Sequence, residues 1–224
     1  MKHILLAVIL CAAATPAAAV GTSLESDAEK YSYAIGINFA QSLLRQGAPI
    51  DADAVYMAIR DALDGSGPRL SAEAMSLALR GEAQKAGERK REMAAENLRT
   101  GKAFMAENAG RAEVTTLPNG IQYEILRSGD GAQPKATDTV TVHYTGKLID
   151  GREFDSSKRR GEAATLGLDE VIAGWREVVP LMRVGSRWLV TIPPDLAYGV
   201  NGAGAAIGPN ETLVFEIELL DVVR

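Results

Sequence analysis

A change of hydrophobic period near Arg111 most constrains what this chain can fold into. Before that point apolar residues recur three and four apart; from Thr115 onward they alternate with polar ones, with turn signals between the runs. The first period belongs to helices and the second to half-buried strands. A chain that spends its first half on one and its second half on the other segregates them, so the expected class is α+β with an antiparallel sheet.

The helical half reads as three elements. Ser26-Asp27-Ala28-Glu29 offers a cap with an acid three positions on, and Tyr33, Ile37 and Leu44, with the Ala34-Ile35 pair, follow at helical spacing until Gly47 and Pro49. Asp51 or Asp53 caps a second helix with Val55, Ile59 and Leu63 on one side, ended by Gly65-Ser66-Gly67-Pro68. Ser71 starts a third that runs without proline to about Ala109. Between Arg80 and Lys102 its large apolar residues are Met93 and Leu98, and the rest is Ala, Gly and charge. A helix polar all round has no core to lie on, so it is expected to bridge two regions through solvent. The first two helices are too small to bury a core alone, and their apolar stripes call for a partner. The simplest is the same segment of a second copy, a homodimer in which Gly36 and Ala40 allow close helix contact.

In the alternating half Asn119-Gly120 and Asp150-Gly151 are hairpin-type turns. Strands are expected at Ile121–Leu126, Thr139–Leu148, Gly185–Ile192 and Thr212–Val222, with one short helix over Val171–Met182. The organisation is therefore a helical dimerisation region at 22–70, a connecting helix at 71–110 and an α+β domain at 113–224.

The chain opens with Lys2 and His3, an apolar run from Ile4 to Ala14, and Ala17-Ala18-Ala19. That is the layout of a secretory signal peptide, residues 1–19, cut before Val20, with the run too short to span a membrane. Leu10 stands before Cys11, where a lipidation signal carries Gly or Ala, so a soluble periplasmic protein is expected, with attachment to the outer membrane or cell surface left open. The cut removes the single cysteine and one of two histidines and leaves a net charge of −6, from 23 basic and 29 acidic residues. No run of five basic residues provides a nucleic-acid footprint. Neither a thiol nucleophile nor a Cys/His zinc site can be built, and no cofactor is expected.

One histidine remains, His143, within VHYTGKLIDGREFDSS. Val140, Val142 and Tyr144 share the apolar strand face, so His143 points the other way. Tyr144 is the better candidate, being inward and carrying a hydroxyl that needs a partner. Leu213, Phe215, Ile217 and Leu219 face inward on the last strand, so Phe215 is expected to meet Tyr144 over the helix that carries Ile172 and Trp175 on one face.

Those segments, VHYTGKLIDGREFDSS, EVIAGW, PDLAYG and GPNETLVFEIELL, resemble in order and spacing the FKBP-type peptidyl-prolyl isomerases. The layout as a whole is similar to the exported bacterial macrophage-infectivity-potentiator type. The resemblance implies an antiparallel sheet half-wrapped around a short helix, with the active pocket between them. It implies catalytic positions at Tyr144, Asp155, Trp175, Tyr198 and Phe215 and substrate contacts at Phe154, Val171, Ile172 and Ile207. The tryptophan would floor the pocket, and the Tyr198 hydroxyl and Ile172 N–H would bond ligand carbonyls. It further implies proline-containing folding chains as partners, rotamase activity in their folding, a dimer through the N-terminal helices, and FK506- or rapamycin-type ligands. A chaperone that holds clients independently of catalysis is the alternative. Ala164 and Leu166 stand where many members carry phenylalanine, and the loop VNGAGAAIG is made of small residues apart from Ile207, so substrate preference and drug affinity are expected to differ.

Overall fold

The computed structural model of the 224-residue chain describes residues 23–47 and 49–223. The expected signal peptide and its cleavage point lie outside the described residues. The chain divides into two compact units, through Ile50 and from Asp51 on.

The first unit contains helix α1, Asp27–Gln46. Its capping box forms as expected: the Ser26 N–H donates to Glu29 Oε2 at 2.8 Å and the Glu29 N–H donates to Ser26 Oγ at 3.2 Å. Two orphan donors of the first turn are satisfied in this way. Gly47 ends the helix in the left-handed conformation. Tyr31, Tyr33, Ile35, Phe39 and Leu44 are exposed along it.

The second unit begins with α2, Ala52–Leu63, whose cap is Asp51, and continues into α3, Ala72–Ala109, capped by Ser71. Arg69 in the link between them donates to both carboxylate oxygens of Asp61, from Nε at 2.6 Å and from Nη2 at 2.9 Å. The expectation of a helix without a surface to lie on fails for the C-terminal half of α3. Ala94, Asn97, Gly101, Phe104, Met105 and Asn108 form a half-buried to buried stripe. Asn108 donates to Gln122 Oε1 at 2.9 Å, and Gln122 Nε2 donates to the Met105 carbonyl at 2.8 Å. The contact is made by glycine, amides and backbone, so a search for large apolar residues passes over it.

Seven strands then form one antiparallel sheet among the described residues: β1 Val114–Thr116, β2 Gln122–Arg127, β3 Thr139–Leu148, β4 Glu153–Ser156, β5 Ala164–Gly167, β6 Arg187–Ile192 and β7 Leu213–Val223. The order is β1-β2-β6-β7-β3-β4, with β5 also paired to β3. Gly120 and Gly151, both at positive φ, make the two expected hairpin turns. Strands β1, β4 and β5, of three or four residues each, were not expected; so short a run shows no period in sequence. Between β4 and β5 lies a single turn, α4 Ser157–Arg160. The helix expected over Val171–Met182 is shorter, α5 Ala173–Val178, and Pro180 turns its continuation into one 3₁₀ turn, Val179–Leu181.

The parity expected for the two central strands holds. Val140, Val142 and Tyr144 of β3 are buried, as are Leu213, Phe215, Ile217 and Leu219 of β7. A register shift opposite Thr141 and Val142 then exposes Leu220 and Asp221 and returns Val222 to the buried side. Helix α5 packs Trp175 and Val178 onto this apolar face, and the cavity described next opens at the Trp175 end.

Candidate active site

Four rings interlock where α5 meets β3, β4 and β7. Trp175 is 3% exposed and stands edge-on to Tyr144, with centroids 5.3 Å apart, and to Phe215, at 5.4 Å. Phe154 stands edge-on to Phe215 at 5.6 Å. Edge-to-face pairs of this kind each contribute about 0.5–1.5 kcal/mol beyond the area they bury. Phe215 and Tyr144, expected to meet over the helix, do so with the indole of Trp175 as their common neighbour. The β3–β7 register pairs Phe215 with Gly146 and Tyr144 with Ile217, which sets the two rings diagonally. Gly146 makes room for them: a Cβ there would lie 2.6 Å from the Phe154 ring and 2.8 Å from the Phe215 ring.

Above the indole is an open cavity of about 300 Å³ lined by Tyr144, Phe154, Asp155, Val171, Ile172, Trp175, Tyr198 and Phe215, together with Leu166 and Glu170. Eight of the nine expected site residues are thus brought together. Ile207 is not among them: it is buried in the loop before β7, bonded through its backbone to Ala203. Tyr198 forms the rim and is 40% exposed. Among the described residues no backbone carbonyl receives the Ile172 N–H, which leaves that donor available at the head of α5.

Of the two carboxylates in the lining, Glu170 is exposed and half-buried Asp155 is engaged at both oxygens. Tyr144 donates its hydroxyl to one oxygen, and Arg160 of α4 donates to the other. Arg160 also donates to the Tyr144 hydroxyl at 3.1 Å and lies over its ring, 5.6 Å from the centroid. Burial works to raise the Asp155 carboxyl, but the hydrogen bonds from Tyr144 and Arg160 and the guanidinium charge outweigh it, so it titrates below its ordinary range. Burial and the bond to Asp155 push the Tyr144 phenol up. The pair is therefore a fixed anion and a fixed donor at neutral pH. It is not poised to exchange protons with a substrate.

Arg160 and Ser157 escaped the sequence reading. Strand β4 ends opposite Thr145 and β5 begins opposite Val142, which leaves the outward backbone groups of Tyr144 in a gap. The buried Ser157 hydroxyl fills it, accepting from the Tyr144 N–H at 2.8 Å and donating to the Tyr144 carbonyl at 3.3 Å. His143 lies on the face away from the cavity, as expected, with Nδ1 3.2 Å from the same hydroxyl. The signal for Ser157 and Arg160 lay in their distance from Asp155, two and five residues on, which a single turn folds back over the strand.

Among the described residues no group of three His, Cys, Asp or Glu side chains is placed to hold a metal ion. A larger cleft, about 450 Å³, lies between α2 and the start of α3, lined mainly by Ala, Met, Leu and Pro. Its charged residues, Asp61 and Arg69, are spent on each other, so the chemistry belongs to the smaller cavity.

Comparison with known proteins gives the family of the chain. Residues 131–220 match the family described as FKBP-type peptidyl-prolyl cis-trans isomerase, and residues 28–125 match the domain found amino-terminal to it. The chain is 41% identical to "Outer membrane protein MIP" of Legionella longbeachae, over 100% of this chain and 98% of that one. It is 44% identical to the "FKBP-type 22 kDa peptidyl-prolyl cis-trans isomerase" of Escherichia coli, over 86% of this chain and 94% of that one. Among solved structures, FkpA from Escherichia coli matches with a TM-score of 0.63 at 35% identity, covering 89% of this chain and 98% of that one.

Proposed function

The chain belongs to the FKBP-type peptidyl-prolyl cis–trans isomerases, and we propose that it turns X–Pro bonds in the cavity floored by Trp175, using shape and fixed hydrogen bonds alone. The observation that carries this reading is an open aromatic cavity in which the carboxylate beside the rings, Asp155, is already clamped by Tyr144 and Arg160. Asp155 is thereby kept from acting as nucleophile or base, and prolyl rotation needs neither.

The barrier to rotation, about 18–20 kcal/mol, comes from amide resonance. The uncatalysed exchange takes tens to hundreds of seconds and limits folding. Twisting the bond breaks the resonance and reduces the charge separation across it. A dry wall of rings disfavours the planar, charge-separated amide relative to the twisted one. With the proline ring on Trp175, the Tyr198 hydroxyl and the Ile172 N–H hold the flanking carbonyls, and the Asp155–Tyr144 pair lines the side on which the amide turns. Tyr198 and Ile172 hold the flanking carbonyls in both forms alike, while the Asp155–Tyr144 pair, placed beforehand for the twisted geometry, favours it over both planar isomers, which is the condition for catalysis.

In a proline-isomerisation assay on a short X–Pro peptide, the wild-type chain accelerates exchange over the spontaneous rate. Asp155→Val and Tyr198→Phe lower kcat/KM about tenfold while the chains stay folded, the rate equivalent of one lost hydrogen bond of about 1.4 kcal/mol. No acceleration by folded wild-type protein would sink this reading.

The apolar run Ile4–Ala14 and the small residues after it support export to the periplasm. No helix among the described residues is long and apolar enough to cross a membrane. The uncovered Tyr33, Ile35 and Phe39 of α1 support a homodimer formed through the N-terminal helices.

A further inference from the structure

Between two walls of the cavity runs the loop 199–212: Tyr198 stands immediately before it, and β7, which carries Phe215, starts immediately after it. Helix α3 lies on the outer side of this loop. Asn97 Nδ2 donates to the Pro209 carbonyl at 2.8 Å. Buried Gly101 presses on Thr212, itself 1% exposed, so closely that a Cβ would collide with the threonine hydroxyl. A Cβ on Gly208 would come within 3.2 Å of Asn97 and 3.4 Å of Met93.

At the centre of this seam is Asn210. It is the one non-glycine residue at positive φ among the described residues, 55°. Its backbone N–H donates to the Gly199 carbonyl at 2.8 Å, one residue from Tyr198. Its side-chain Nδ2 donates to the Ala94 carbonyl of α3 at 3.2 Å. Asparagine tolerates the left-handed conformation better than other residues with a side chain, and that conformation is what lets one residue reach both ways. A second bond, from the Gly202 N–H to the Tyr198 carbonyl at 3.2 Å, closes the loop upon itself.

We propose that Asn210 is a positioning residue for the isomerase pocket, tying helix α3 to the Tyr198 wall so that the seating of the helix sets the grip on the prolyl peptide. The inference rests on the isomerase reading above and adds to it a part for a helix that touches no substrate. A wall that is only held in place contacts the planar and the twisted amide alike. Loosening it weakens binding uniformly, which raises KM and spares kcat. A purely structural role would lower the folded fraction and leave KM where it was.

The test uses the full chain and the short X–Pro peptide. Asn210→Gly accepts the same backbone angle, keeps the N–H bond to Gly199 and removes only the link to the helix. Asn97→Ala cuts the neighbouring tie from the helix side. Both are expected to raise KM at least threefold with kcat within twofold, while Lys102→Ala, next to Gly101 on the exposed side of α3, leaves KM unchanged. An Asn210→Gly or Asn97→Ala chain that is folded and keeps KM within twofold of wild type, or loses kcat instead, overturns the proposal. If Asn210→Gly does not fold, Asn97→Ala decides alone. A wild-type chain without isomerase activity removes the premise instead, and is read in the same assay.

Discussion

Three side chains, Tyr144, Asp155 and Arg160, decide how the pocket responds to acid. The carboxyl of Asp155 titrates lower in the folded chain than in the unfolded one, because Tyr144 and Arg160 bond its charged form more than burial penalises it. A depressed carboxylate contributes stability that is present above its unfolded value, about 3.9, and is lost as pH falls through the lower folded value. Raising the phenol of Tyr144 keeps it protonated through the neutral range. Activity measured as kcat/KM on an uncharged peptide should therefore be flat from about pH 6 to 9, with loss confined to strong acid. A bell-shaped profile near neutrality would mean that a proton moves in the reaction, and His143 would have to be reconsidered. Most of this residue-level arrangement could be read before the fold was known. Strand alternation sends Tyr144 inward and His143 outward, and the motifs mark Asp155, Trp175 and Tyr198. Arg160 and Ser157 could not be read, since their part depends on a four-residue turn folding back over β3. Ile207 was placed at the site by resemblance, and its loop instead buries it against Ala203.

Helices here report themselves by their ends. Ser26 and Ser71 cap the helices expected of them, and of Asp51 and Asp53 it is Asp51 that caps the second, because a side-chain oxygen at that position satisfies an otherwise orphaned N–H. Strands report themselves by length: β3 and β7, with ten and eleven residues, show their period, whereas β1, β4 and β5 do not. The long helix misled in one respect. Its polar composition implied solvent on all sides, yet Gly101, Asn97 and Asn108 form a docking face that no hydrophobic pattern marks. Two other glycines of α3, Gly81 and Gly87, have open space where a Cβ would stand. Replacing both with alanine should stabilise the helix by about 1–2 kcal/mol in total, since each glycine costs up to about 1 kcal/mol in a helix interior. Helical circular dichroism through a thermal melt would show it as a later loss of signal, and an unchanged or earlier melt would mean that these positions are needed as glycine.

The whole molecule pairs a sheet domain that covers its own core with an N-terminal helix that leaves its apolar side chains bare. On β3 and β7 the inward residues are buried, while on α1 Tyr31 is 69% and Leu44 77% exposed. A second copy that covered α1 would remove this mismatch, and the proposed dimer has a direct check. Sedimentation of the chain from Val20 on should give twice the monomer mass, and Ile35→Glu with Phe39→Glu should return it to monomer. Isomerisation of a short peptide, which requires only the cavity around Trp175, should survive the change. A monomeric wild-type chain would contradict the dimer and leave the pocket untouched.

The cavity walls are aromatic and aliphatic side chains with two carboxylates, Asp155 and Glu170, and the chain's lone thiol, Cys11, stands about a hundred residues before the catalytic half in sequence. Alkylating reagents and disulfide exchange therefore find no foothold on the reacting surface. An isomerase built this way is expected to keep its pace as the redox poise around it changes, and to answer to agents that change the shape of its walls or fill the space between them.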